Sequence, residues 1–328
     1  MRRRKFIAVV GGAATLPLAG HAQQPERMRR VGWLVPWAEK DPVTRASAKV
    51  FARALEQLGW VEGKNIQIDY RFAAGDPALS AADAAELVGL SLDVILATST
   101  PSVAALQQQT RATPIVFVRV SDPVGQGFVQ SLARPGGNIT GFSAFDAPLM
   151  GKWLELLKEV APRVTRVSVI FNPNTAPAVT FFSRAIEAAA PSLGMTVTLA
   201  LVHDDPGIEE AIASQAREPG GGLVCLPDSF NITHRDVIIV GAARHSLPLI
   251  STVEFPRAGG LMSYMFDPVD LHAQAASYID RILRGASPTE LPVQQPTKYS
   301  LIINLKTAKA LGLTVPPSML DLADEVIE

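Results

Sequence analysis

The chain has 328 residues, 48% of them hydrophobic, with 30 basic and 31 acidic side chains. That balance excludes collagen-like, coiled-coil and disordered classes, and its near-neutrality argues against a nucleic-acid binder, which needs a basic surface to neutralise phosphates. The length corresponds to two domains of about 150 residues.

The charge is unevenly placed. Residues 1–22 hold Arg2, Arg3, Arg4 and Lys5 and no acid, followed by an apolar run from Phe6 to Ala19 and the small-residue ending Gly20-His21-Ala22. This order predicts an export signal cleaved near Ala22, and Arg3-Arg4-Lys5-Phe6-Ile7 gives it a twin-arginine-like start. The run falls short of the ~20 residues a spanning helix needs and is broken by Gly11, Gly12 and Pro17. No later stretch reaches that length without charges, so the mature chain is expected not to span a membrane. Setting the four basic residues aside leaves 26 bases against 31 acids. Such a mildly acidic, periplasmic protein suits neither DNA nor anionic lipid. Cys225 is the one cysteine; it cannot form an internal disulfide, and its apolar neighbours predict a small buried hydrophobe.

Arg30 to Val35 is a short apolar run ending at Pro36, as a buried parallel strand does. Val50, Ala54, Leu55 and Leu58 then recur at helical spacing until Gly59. Ile66, Ile68, Tyr70 and Phe72 alternate as a second strand, Ala81 to Leu90 is helical, and Val94 to Ala97 is a third strand. Thr100 is the expected N-cap of a helix with Pro101 at its start. Pro114 opens a fourth strand, Ile115 to Val120, ending at Ser121-Asp122-Pro123.

The second half repeats these elements. Arg166 to Phe171 is a strand ending at Asn172-Pro173-Asn174, Ala178 to Leu193 is helical, and Thr196, Thr198 and Ala200 alternate. Ile208 to Arg217 is helical, Leu223 to Leu226 is a strand running into Pro227-Asp228, and Arg235 to His245 is helical before the strand Leu249 to Val253. A further strand at Gly259 to Tyr264, a helix at Val269 to Leu283, a proline-rich stretch and the run Leu301 to Asn304 complete the chain. The fold class is therefore α/β, with two Rossmann-like lobes joined by a multi-strand hinge. Lobe 1 is expected to comprise 28–141 plus 257–295 and lobe 2 to comprise 142–256 plus 296–328, with hinges near Thr140 to Ser143, Glu254 to Gly260 and Gln295 to Tyr299.

Ligands of open α/β sheets bind beyond the carboxyl ends of the strands. Those ends supply Trp37, Ser99, Thr100, Ser121 and Asp122 in one lobe and Asn172, Asn174, Asp228 and Glu254 in the other; Tyr264 is a weaker candidate. Ser99 and Thr100 at a helix start suit a carboxylate, Asp228 suits an ammonium or a helix cap, and Trp37 suits an aromatic wall. Signatures of enzymes are missing: there is no G-x-S-x-G, no H-E-x-x-H and no phosphate loop, and His203-Asp204-Asp205 reads better as a turn than as a metal site. The residues call for no cofactor, no metal and no catalytic pair.

Several runs carry a resemblance. Gly63-Lys64-Asn65-Ile66, Ser121-Asp122-Pro123-Val124, Ser131 to Gly141, Gly259 to Tyr264 and Asn304 to Leu313 resemble the ABC transporter substrate-binding protein family that includes tryptophan and tyrosine binders. The resemblance implies a periplasmic binding protein of type I, a monomer that closes on a small-molecule solute and presents it to a permease with a cytoplasmic ATPase. It implies ligand contacts at Trp37, Ser99-Thr100, Ser121-Asp122, Asn172 to Asn174 and Asp228. Ser99 and Met265 depart from the glycines the family often has there, placing bulkier side chains near the cleft. The ligand expected is an amino acid, aromatic or otherwise, or a related carboxylate. An exported transferase-like enzyme and a ligand-sensing module for a membrane receptor are the alternatives.

Overall fold

The computed structural model describes residues 27–328 apart from Asp146. The expected export segment and its cleavage point lie outside the described residues. Five parallel strands form the first sheet: β1 (Arg29–Val35), β2 (Ile66–Phe72), β3 (Val94–Thr98), β4 (Ile115–Ser121) and β5 (Ile139–Phe145). Helices α1 (Pro42–Gln57), α2 (Pro77–Gly89) and α3 (Thr100–Gln109) connect the first four, and the spatial order is β2-β1-β3-β4-β5.

Helix α4 (Ala147–Val160) opens the second lobe, followed by β6 (Arg166–Phe171), α5 (Val179–Ala189), β7 (Thr196–Leu201), α6 (Asp205–Ala216), β8 (Gly221–Cys225), α7 (Ser229–Thr233), α8 (Arg235–Arg244), β9 (Leu249–Ser251), α9 (Glu254–Arg257) and β10 (Met262–Met265). The chain then forms α10 (Pro268–Leu283), β11 (Ser300–Asn304), α11 (Leu305–Ala310), α12 (Pro317–Leu322) and β12 (Glu325–Ile327). Strands β6 to β12 make a sheet in the order β12-β11-β10-β9-β8-β6-β7, with β10 and β11 antiparallel.

Local chemistry accounts for these elements. Strands β3 and β4 are buried along their whole length, as sheets covered on both faces must be. Asp-Pro pairs start α1, α2 and α10: Asp41, Asp76 and Asp267 each accept a backbone N–H of the first turn, and the proline takes the position where an N–H would have no helical partner.

Two expected boundaries move. Residues 257–265 are expected in lobe 1, but β10 pairs with β9 and β11 in the second sheet. The crossing back to lobe 1 falls between Met265 and Pro268, because α10 packs on α1, β3 and β4. A hinge is expected near Thr140 to Ser143, but these residues lie within β5 and pair with β4. The chain changes lobe after β5, before α10 and after Gln294, whose backbone still bonds to Gly141 and Ser143.

A buried polar chain ties α10 to the first sheet. Trp33 Nε1 donates to Thr98 Oγ1 at 2.9 Å, and Thr98 Oγ1 lies 3.5 Å from His272 Nε2. His272 Nδ1 is 3.0 Å from the Pro268 carbonyl, which only accepts, so Nδ1 carries the proton and Nε2 accepts from Thr98. Burial, aided by the Arg119 charge, pushes His272 down to about 3, keeping the ring neutral. Thr98→Val is expected to strand the indole N–H and reduce stability by about 1–3 kcal/mol. A lower urea midpoint at unchanged slope measures this; an unchanged midpoint would mean that the indole finds another acceptor.

Candidate functional site

Both sheets reverse their strand order at one place: between β1 and β3 in the first lobe, and between β6 and β8 in the second. Loops leaving such a switch point in opposite directions open a crevice at the carboxyl end of the sheet. The two crevices face each other. Trp37 after β1, Ser99, Thr100 and Pro101 after β3, and Arg119 and Ser121 of β4 line one wall of a cavity; Thr175 after β6 and Pro227, Asp228, Ser229 and Ile232 after β8 line the other. The walls leave only about 20 Å³ between them for the centre of a water-sized sphere, room for about one water molecule.

Asp228 anchors the second-lobe wall. Its Oδ2 accepts from the Asn172 backbone N–H at 2.8 Å, and its Oδ1 accepts from Thr175 Oγ1 at 2.5 Å and from the Phe230 backbone N–H at 3.0 Å. One carboxylate thus pins the β6 loop to the start of α7. Burial pushes its carboxyl up to about 6, although these hydrogen bonds and nearby His234 pull the other way.

Arg119 is the cation of the first-lobe wall. A bulge leaves it without a partner on β5, the register passing from Val118 to Val120 and shifting again before Ser121, and its φ of 61° is rare for a residue with a side chain. This kink points the guanidinium across the lobe boundary, where Nη1 donates to Glu254 Oε1 at 2.8 Å. The two side chains are only 3% and 5% exposed. Burial opposes ionisation of Glu254, but the Arg119 charge and the hydrogen bonds outweigh it and hold the carboxyl below its usual range. The guanidinium also lies over Trp37, 4.9 Å from the ring centroid. Two further ties cross the boundary: Trp37 Nε1 donates to the Ser229 carbonyl at 3.3 Å, and Arg235 Nη1 to Asp41 Oδ2 at 2.9 Å. The lobes are therefore closed on the cavity.

The family model described as ABC transporter substrate binding protein matches residues 40–327. The chain belongs to that family. A tyrosine-binding protein of Clostridioides difficile (strain R20291) is 28% identical over 274 residues, covering 83% of this substrate-binding protein and 78% of its own length. A conserved domain protein from Vibrio cholerae superposes with a TM-score of 0.85 at 30% identity, covering 92% of this chain and all of its own. A domain from Streptococcus pneumoniae in complex with L-Trp superposes at 0.84 with 24% identity, covering 91% and 99%. These neighbours confirm the two-lobed α/β fold expected from the strand pattern.

Within this substrate-binding protein, Trp37, Ser99, Thr100, Ser121 and Asp228 meet at the cavity, and the other five residues singled out from the sequence do not line it. Asp122 closes its own turn by accepting from the Gly125 N–H at 2.9 Å. Asn172 Oδ1 accepts from the Asn174 backbone N–H at 2.9 Å, which ties both residues into their own loop. Glu254 starts α9 and is engaged by Arg119. Tyr264 stacks on Tyr299 and gives its carbonyl to Trp153. The N-cap of α3 is Ser99, one residue before Thr100, because φ at Ser99 is 78° while Thr100 is already helical. Cys225 is buried within β8, where burial pushes its thiol up.

Sequence reading passed over Arg119. Its signal was present: a lone arginine in the otherwise apolar stretch Ile115 to Val120 must find a partner once buried. Thr175, Ser229 and Ile232 carried no comparable signal.

Proposed function

We propose that this protein is exported to the periplasm, captures an amino acid, aromatic or otherwise, or a related carboxylate between its lobes as a monomer, and delivers it to a permease driven by a cytoplasmic ATPase. The observation that carries this reading is the pair of facing switch points, with the Asp228 carboxylate on one wall and the Arg119 guanidinium on the other. A tyrosine-binding relative and a tryptophan-bound structural neighbour support an amino acid as the cargo class. The basic and apolar residues before Ala22 support export, and no helix among the described residues is long and apolar enough to cross a membrane. Capture works by population shift: a solute touching both walls only when they are closed favours that state by the energy of the second set of contacts.

The test is a thermal-shift screen of the mature protein against amino acids and simple carboxylates. A true ligand raises the midpoint with concentration as mass action requires. Silence across both classes would defeat the proposal. N-terminal sequencing of periplasmic material checks the export step, which requires a chain beginning close to Gln23.

The Asp228 value sets a pH dependence. With the folded carboxyl at about 6, above the ordinary value, its protonated form is favoured in the empty site. The empty protein therefore gains stability from this group as pH falls from about 6 toward 4. An ammonium needs the ionised form, so affinity for an amine-bearing solute should fall about tenfold per pH unit below 6. Isothermal titration at pH 7, 6, 5 and 4.5 measures it; a flat profile would remove the ammonium-binding role.

A further inference from the structure

We infer, resting on the solute-capture reading above, that Arg119 and Ser99 select a small aliphatic solute by its carboxylate and shut aromatic side chains out of the cleft. The exclusion follows from Trp37. Sequence alone offers this indole as a wall for an aromatic ligand, yet it is only 2% exposed. Its N–H is spent on the Ser229 carbonyl, and the Arg119 guanidinium lies 4.9 Å from its ring centroid. A ligand ring stacked on an indole sits ~4.5–7 Å from its centroid. The guanidinium occupies that place, and its bond to Glu254 and its position on a bulged strand hold it there.

The carboxylate preference rests on separate observations. An arginine presents five N–H donors in a fixed fork, and the Arg119 guanidinium bonds to Glu254 through Nη1 alone, so its remaining donors serve the cavity it lines. Ser99 is a second donor. As an N-cap its hydroxyl would ordinarily accept an N–H of the first helical turn. Here φ is 78°, no such cap bond forms, and Oγ is buried without a partner beside the cavity. The ten-residue helix α3 starts at this point, with the positive end of its dipole toward the same space. Donors from Arg119, Ser99 and the helix start thus converge on one anion, while Asp228 on the opposite wall suits an amine. The complementary molecule is a compact amino acid with an aliphatic or hydroxyl side chain.

The experiment compares L-alanine, L-serine and L-valine with L-tryptophan and L-tyrosine by isothermal titration and thermal shift. It uses the mature protein, Ser99→Ala and the double variant Arg119→Ala with Glu254→Gln. Removing both charges avoids a buried unpaired carboxylate, and Ser99→Ala deletes only a hydroxyl, so one readout survives if the double variant folds poorly. The mature protein should bind at least one aliphatic amino acid and neither aromatic one. Ser99→Ala should weaken that binding roughly tenfold and the double variant roughly 10- to 100-fold, as loss of hydrogen bonds to a charged group requires. The double variant, with the Trp37 face uncovered, should gain tryptophan or tyrosine binding. Tight binding of tryptophan or tyrosine by the unaltered protein would overturn the exclusion while leaving solute capture intact. Unchanged affinity for the aliphatic ligand in both variants would overturn the roles of Arg119 and Ser99. Binding of neither set would overturn the capture reading itself, and this inference with it.

Discussion

Arg119→Ala is expected to open the protein. The change leaves the Glu254 carboxylate in a site where it is 5% exposed and has lost its cation. A buried ion pair broken on one side costs about 3–5 kcal/mol, because the remaining charge is neither paired nor hydrated. Glu254 sits on lobe 2 and Arg119 on lobe 1, so parting the lobes rehydrates the carboxylate. The ties left to oppose this are the largely buried Asp41–Arg235 pair and the Trp37–Ser229 hydrogen bond. A hydrogen bond to a charged group contributes about 1.5–3 kcal/mol, less than the about 3–5 kcal/mol that the stranded carboxylate costs. The closed form should therefore give way, with a larger radius of gyration in small-angle scattering of the solute-free variant. Adding Glu254→Gln should restore most of the compactness, since a neutral amide tolerates burial better than a lone carboxylate. If scattering and stability are the same in all three proteins, the pair contributes nothing to closure.

Gly141→Ala should be the most damaging single-methyl change near the site. Gly141 lies in β5 opposite Phe117 of β4, with φ at 152°, and a Cβ there would stand 2.1 Å from the Phe117 carbonyl oxygen and 2.5 Å from its nitrogen. Both are backbone atoms in the middle of a sheet, so no rotamer change relieves the clash. Either β5 separates from β4 or the β4 backbone moves, and β4 carries Arg119 and Ser121. We expect a loss above about 3 kcal/mol, in the range of the severe substitutions, with solute binding lost alongside. Gly89→Ala at the end of α2, where a Cβ would meet nothing within 4 Å, is the control and should be neutral or gain up to about 1 kcal/mol. Urea denaturation of the two variants tests the contrast; equal midpoints would show that the β4–β5 contact yields easily.

The secondary elements were legible because their causes are local. Short apolar runs ended by Pro36, Asn172 or Pro227 are what a strand covered on both faces requires, and the Asp-Pro pairs mark helix starts through their own hydrogen bonds. The repetition of strand and helix in the two halves gave two open sheets, and from these came the carboxyl-end loops where half of the named site residues meet. Lobe membership was harder. Gly259 to Tyr264 is recognisable as a strand, but its partners are β9 and β11, and β11 lies some forty residues further along. Pairing at that distance depends on where the chain returns, and that is a property of the whole fold.

The same division separates the site residues. Sequence by itself determined that Asp228, Ser99 and Thr100 stand at strand ends, since that follows from the length of each apolar run. Only the tertiary structure decided that Glu254 is bonded to Arg119, that the Trp37 face is covered, and that Asp122 and Asn172 turn to their own loops. A buried charge must be neutralised by a neighbour in space, and Arg119 and Glu254 are 135 positions apart in the chain. Two lobes have to close before such groups meet, so the chemistry of this cleft is written in their juxtaposition.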